Sequence, residues 1–207
     1  ISEKGLKITK AVAGNEYKLG KASFVILAPN SSDYDNLNNY SVAVKLINDN
    51  NSFIFAGDAE VQSENEMLQN GINLDADVLK LGHHGSSTGS SKFLDAVSPE
   101  IAVISAGEGN QYSHPHTEVL QALKERNIKL YRTDKQGTII LEADGNKISA
   151  DKDPYKISEE DLKTKTDNIS DNSKSSSDNN KANSGNTGTS KTDTAKTDTS
   201  KTDKNKT

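Results

Sequence analysis

Two short motifs carry side chains able to do chemistry. One is Phe53-Ile-Phe-Ala-Gly-Asp58-Ala-Glu60 and the other is Val78-Leu-Lys-Leu-Gly-His83-His84-Gly-Ser86. Each is an apolar run that stops at a glycine and passes directly into carboxylate or imidazole groups. If the runs are neighbouring strands of one sheet, Asp58 and the two histidines meet on one rim. A third cluster, Tyr112-Ser-His114-Pro-His116, ends the next apolar run, so all four histidines of the chain fall in two places. Carboxylate and imidazole donors in this pattern point to a metal-dependent hydrolase, because they are the ligands that divalent ions take when thiolates are lacking. The chain has no cysteine, which excludes thiolate ligands and disulfides.

Each motif also admits a plainer reading. Asp58 is either a metal-bridging carboxylate or the cap of a helix starting near Glu60. His83 and His84 are either a ligand and its substrate-facing neighbour, or two solvated side chains in a polar loop. On an extended segment adjacent side chains point to opposite sides, so one histidine is expected to bind metal while the other faces substrate. Asp77 is either a support for one of these histidines or a strand-edge charge. His114 and His116 open a helix, where they either protonate a leaving group and contact phosphate or simply form a His/Pro helix entry. Arg132 is a phosphate ligand or a structural strand-end arginine. Asn38 and Asn39 precede a strand, where their polar groups brace a turn.

The elements that must position these residues alternate. Strands are expected at 23–28, 41–47, 52–56, 77–81, 101–105, 128–132, 138–142 and 147–150. Helices are expected at 60–69, 92–97 and 117–126. Alternation of this kind means an α/β architecture with ligands at strand ends.

Composition divides the chain of 207 residues in two. Residues 1–152 have the apolar content of one domain. Residues 153–207 are expected to be a disordered low-complexity tail of Lys, Thr, Asp, Ser and Asn, since such a segment cannot offset its ordering entropy. A degenerate repeat, Lys191-Thr-Asp-Thr-Ala, Lys196-Thr-Asp-Thr-Ser, Lys201-Thr-Asp-Lys-Asn, reads either as a solvated spacer or stalk associated with the cell wall, or as low-complexity drift. The whole chain carries a net charge of −5; from Lys156 onward ten Lys oppose nine acidic residues, so the body carries about −6. An acidic body excludes a broad basic nucleic-acid grip. It still permits phosphodiester chemistry where bound cations supply the positive charge. No segment has the apolar length of a membrane span.

Taken together, several motifs resemble one family. Asn39-x-Ser41-Val42, Phe55-x-Gly57-Asp58-Ala59-Glu60, Ala76-Asp77-Val78-Leu79-Lys80-x-Gly82-His83-His84-Gly85-Ser86, Ala102-Val103-Ile104-Ser105, Ser113-His114-Pro115-His116 and Tyr131-Arg132-Thr133-Asp134-x-x-Gly137 occur in order. This resembles the metallo-β-lactamase-fold domain of ComEC-type competence proteins and their stand-alone secreted relatives, over about residues 20–142. The resemblance implies the C-terminal part of a four-layered α-β-β-α sandwich with two divalent metal ions, Zn2+ or Mn2+, between its sheets. It implies Asp58 as the bridging ligand and one of His83 and His84 as the last ligand, with His83 favoured. His114 and His116 would line the cleft, and Asp58, His84, His114 and His116 would be catalytic. The family's upstream His/Asp cluster is absent, so an N-terminal half of the same domain is the expected partner. The implied substrate is nucleic acid or another phosphodiester. A secreted phosphocholine-type esterase and a non-catalytic surface-binding module are the alternatives. The expected location is extracellular or at the cell surface.

Overall fold

The computed structural model describes residues 1–163. An antiparallel series comes first: β1 (Glu16–Leu19), β2 (Ala22–Ala28), β3 (Ala43–Asn48) and β4 (Asn51–Phe55). A parallel series follows, with α1 (Val61–Gln69), β5 (Val78–Lys80), α2 (Ser91–Val97), β6 (Ile101–Ile104), α3 (Thr117–Glu125) and β7 (Lys129–Arg132). A single turn of helix, α4 (Thr133–Gln136), then leads to a separate hairpin of β8 (Leu141–Ala143) and β9 (Ile148–Ala150). The large sheet runs in sequence order from β1 to β7, antiparallel up to β4 and parallel from there.

The physics of each half differs. β3 and β4 join through a two-residue turn, Asp49-Asn50, with Asp49 at φ 51°, a conformation that Asp tolerates better than most residues. Parallel strands need crossovers, and right-handed crossovers in one direction place α1, α2 and α3 on one face. The core lies between that helix layer and the sheet. Leu27, Ile54, Leu79, Leu81, Ala102, Ile104 and Leu130 meet Met67, Phe93, Leu94, Val97, Leu120 and Leu123, all essentially inaccessible to water. In α3 the spacing of Val119, Leu120 and Leu123 puts them on the buried face, as the sequence predicts.

The opposite face is covered only in part. Val78, Ile101 and Tyr131 are buried beneath Ile139, Leu141, Ile148 and Ala150 of the hairpin segment. Toward β3 the cover ends. By register Val44, Phe55 and Lys80 lie side by side on this face, as do Leu46 and Phe53. Phe55 is 43% exposed there. The described residues therefore build a helix layer, a sheet and the beginning of a second strand layer.

The α/β expectation holds, with differences in detail. β1 was not legible because Glu16-Tyr-Lys-Leu has no apolar run; it forms by pairing with β2, where Tyr17 stacks on Phe24 at 5.2 Å. The strand expected at 138–142 starts only at Leu141, since the Ile140 N–H is taken by the Asp151 carboxylate at 2.8 Å. Asp77 sits at the start of β5, where it accepts from Ser52 N–H at 2.7 Å and Ser52 Oγ at 3.1 Å. It is a brace at the far end of the strand from the histidines. None of the described helices is long and apolar enough to cross a membrane.

Composition placed the end of the body at 152, but packing on the core continues to Leu162. Tyr155 closes the β7 edge through its N–H to Leu130 O at 2.7 Å, and Tyr155, Ile157 and Leu162 pack on the core. The anchor is Arg132. Its guanidinium forks onto Asp134 at 3.0 and 2.7 Å, reaches Asp161 at 2.9 Å and lies 5.0 Å over the Tyr155 ring. Arg132 is thus consumed structurally and is not offered to phosphate. Residues 164–207, with the expected spacer repeat, lie outside the described residues.

Burial pushes the Asp161 carboxyl up, but hydrogen bonds from the Ser158 hydroxyl and N–H and the Tyr155 hydroxyl, with the Arg132 charge, outweigh it and hold it below the usual range. A depressed folded pKa means this stabilisation is present above the unfolded value near about 4 and is lost as pH falls through the folded one. Urea denaturation of Asp161→Asn at neutral pH should show a loss of about 1.5–3 kcal/mol, the range for losing hydrogen bonds to a charged group, since Asp134 still pairs Arg132. The difference from the parent should shrink below about pH 4.

Candidate active site

Parallel strands present their C-terminal ends on one edge, and this sheet uses three in succession. Asp58 follows β4, His83 and His84 follow β5, and His114 and His116 follow β6. The expected meeting on one rim is therefore what the topology delivers. The loops are also bonded to one another. His83 N–H donates to Gly57 O at 3.0 Å, and His116 N–H donates to Gly85 O at 2.8 Å. Contacts this close require missing side chains. A Cβ on Gly82 would stand 2.5 Å from Ala59 O, and one on Gly85 would stand 2.8 Å from Pro115 Cβ.

The β5 loop does not continue extended. His83 and His84 have φ of 41° and 57°, in a 3-10 turn. The expectation that the two rings point to opposite sides is accordingly overturned, because the left-handed turn bends both into one cluster. Ring centroids are 6.0 Å apart for His83 and His84, 5.5 Å for His83 and His114, 6.3 Å for His84 and His114, and 4.9 Å for His114 and His116. Left-handed non-glycine residues cost about 1–2 kcal/mol each, and such strain gathers at functional sites.

Three of the four imidazoles are held through Nδ1. His83 Nδ1 lies 3.1 Å from Glu60 Oε1. His84 Nδ1 lies 2.7 Å from Ser105 O. His116 Nδ1 lies 3.2 Å from Ser87 Oγ, which is also 3.2 Å from Glu118 Oε1. A backbone carbonyl can only accept, so in the neutral ring His84 Nδ1 carries the proton and Nε2 keeps its lone pair; His83 Nδ1 also lies 3.5 Å from the Asn38 amide nitrogen. This is the arrangement that orients imidazole for metal or proton work. Asp58 faces His84, with Oδ1 3.8 Å from Nε2. It does not cap α1: the N-cap is Glu60, and Asp58 remains exposed.

His114 differs. Its ring makes no hydrogen bond among the described residues, and burial followed by the neighbouring His116, His83 and His84 pushes its pKa down. It stays neutral more readily than an ordinary histidine. Lys80 is half-buried on the partly covered sheet face, its ammonium donating to Leu81 O at 2.6 Å. Burial lowers its pKa, and the Asp58 charge partly opposes this.

Sequence reasoning missed the supporting set. Asn36 and Asn38 hold the Glu60 carboxylate at 2.9 and 2.8 Å, and Asn39 Oδ1 accepts from Glu60 N–H at 3.1 Å. Glu64, 1% exposed, accepts from Gly89 N–H at 2.6 Å and Ser90 N–H at 2.9 Å, which fixes the loop beyond the histidines. The only sequence signal for Glu64 was a carboxylate on what became the buried face of a helix.

The donor types and their orientation suit a divalent ion, but the number does not. Among the described residues no group of three or more His, Asp or Glu side chains is placed to hold one. The Asp58 and His84 pair contributes two donors, where catalytic ions commonly take three from the protein.

Two outcomes are expected. Gly82→Ala should lower stability by about 1–3 kcal/mol in thermal denaturation, since the added methyl meets backbone. By NMR titration His114 should protonate below about 6.5, and the His116→Ala and His84→Ala variants should each raise its pKa.

No protein-family model matches the chain. Among curated proteins it is 40% identical over 139 residues to the ComE operon protein 3 of Bacillus subtilis (strain 168), covering 66% of the chain and 18% of that protein. It is 38% identical over 118 residues to the competence protein ComA of Neisseria gonorrhoeae, covering 56% of the chain and 17% of the relative. It is 30% identical over 132 residues to recombination protein 2 of Haemophilus influenzae, covering 63% of the chain and 16% of the relative. The chain thus spans less than a fifth of the length of these relatives. Similarity to competence proteins agrees with the expectation from the motifs.

Proposed function

We propose that this domain forms one side of a metal-dependent phosphodiester-hydrolysing cleft of the metallo-β-lactamase type, acting on DNA during its uptake. The observation that carries this reading is the rim itself: one carboxylate and three imidazoles held through Nδ1, on consecutive parallel strand ends. The competence and recombination names of the relatives support DNA as the polymer, and the reading assigns the domain to the cell surface. Two ions, Zn2+ or Mn2+, would be held by Asp58 and by His83 or His84. Donors from outside the described residues would complete their shells. A second strand layer packed on Val44, Phe55 and Lys80 would bring such donors to the rim. When bound, the ions would make water acidic enough to attack near neutral pH and would stabilise charge on phosphate. His116, braced by Ser87 and Glu118, would give a proton from Nε2 to the leaving oxygen when protonated. His114, kept neutral by its surroundings, would accept a hydrogen bond in the cleft.

The test is divalent-metal content and DNA hydrolysis of the full-length gene product. The reading expects about two ions per molecule. It expects Asp58→Ala to lower hydrolysis by roughly a hundredfold or more, since metal-organised charge stabilisation contributes several kcal/mol. Unchanged hydrolysis in that variant would overturn it. Cleavage of a phosphocholine ester in place of DNA would make the substrate that of the esterase alternative. Binding of DNA with neither cleavage would make the domain a binding module.

A further inference from the structure

Tyr112 stands apart from the folding logic of the chain. Its ring is 67% exposed, and its hydroxyl makes no hydrogen bond among the described residues. A tyrosine kept for packing usually buries its ring and satisfies its hydroxyl; this one does neither. Yet it is held in place. Its ring lies on His114 at 5.7 Å and 23°, and His114 lies on His84 at 6.3 Å and 19°. The three rings form an offset, nearly parallel series that runs from Tyr112 through the more buried His114 to His84 beside Asp58. The loop that carries Tyr112 is tied by Asn110, whose side chain donates to Gly107 O at 2.9 Å and His114 O at 2.8 Å and accepts from His114 N–H at 2.9 Å. An exposed ring on a braced loop loses little freedom when a flat partner settles on it.

We propose that Tyr112 is a nucleobase-stacking platform at the mouth of the cleft, so that the domain engages DNA as unpaired strand with a base laid on the tyrosine face. The proposal rests on the phosphodiester reading above and names the form of its substrate. A base inside a duplex has both faces covered, so only an unpaired or terminal base can stack on a side chain. Charge points the same way. The body carries about −6, so contacts to bases would replace part of what contacts to phosphate usually supply. Stacking on an aromatic ring needs no charge and tolerates any sequence.

The test uses fluorescence anisotropy on the whole chain with two labelled probes of about a dozen nucleotides. One is oligothymidylate and the other is an abasic strand of equal length. The wild type is expected to bind oligothymidylate roughly tenfold tighter than the abasic strand. Tyr112→Ala should erase that difference and leave abasic binding unchanged, while Tyr112→Phe should retain it. Equal binding of oligothymidylate by Tyr112→Ala and wild type would overturn the proposal. So would an equal loss on both probes, which would make Tyr112 only a prop for His114. If the wild type binds neither probe the proposal also falls, whereas the hydrolase reading is judged separately by the Asp58 assay.

Discussion

Three loops leaving three parallel strands have to be held at backbone contact for any of this site to exist. Gly57 O to His83 N–H joins the first loop to the second, and Gly85 O to His116 N–H joins the second to the third. Both joints need glycine on the second loop, because a methyl on Gly82 or Gly85 would sit inside the contact distance of the neighbouring loop. With the backbones bolted in this way, the imidazoles have little choice of position. Their clustering within about 5–6 Å of one another follows from the bolts.

The histidine turn is strained, and the surrounding structure supplies what keeps it. Glu64 is buried within α1 and fixes the N–H groups of Gly89 and Ser90, while Thr88 Oγ1 donates to Gly82 O at 3.0 Å. These contacts hold the far end of the same loop. The helix layer gains its stability from a continuous apolar core and can carry a buried carboxylate because its oxygens are satisfied by backbone donors. The Glu60 carboxylate works in the other direction: Asn36 and Asn38 position it while Asn39 holds the Glu60 backbone, and it positions His83.

The two faces of the sheet have different histories in the fold. One is sealed by helices. The other is sealed at β5 to β7 by the hairpin and left with Val44, Leu46, Phe53 and Phe55 only partly covered toward β3. At the outer edge Arg132 joins β7 to the segment through Asp161, so residues that composition would assign to a solvated tail become part of the body. A buried arginine between two carboxylates holds that segment by paired charge in low dielectric, where separating the partners is costly.

By itself the sequence determined the parallel half of the fold. Apolar runs at β4, β5 and β6, each ending in glycine or polar groups, could only be buried strands with loops at one edge, and the spacing of α3 could only be an amphipathic helix. It also marked Asp58, His83, His84, His114 and His116 as candidates, each beside a plainer reading as a cap, a loop or a helix entry. What it could not decide was anything set by long-range pairing. β1 exists only because β2 offers it an edge. The direction of the two adjacent histidines depended on a left-handed turn whose cost is met by contacts from α1 and the β6 loop. Asn36, Asn38, Glu60 and Glu64 became supports through partners more than twenty residues away, and Arg132 was committed by an aspartate 29 residues further on. Local sequence fixes which groups are present; tertiary structure decides which partner each imidazole meets and which charges remain free.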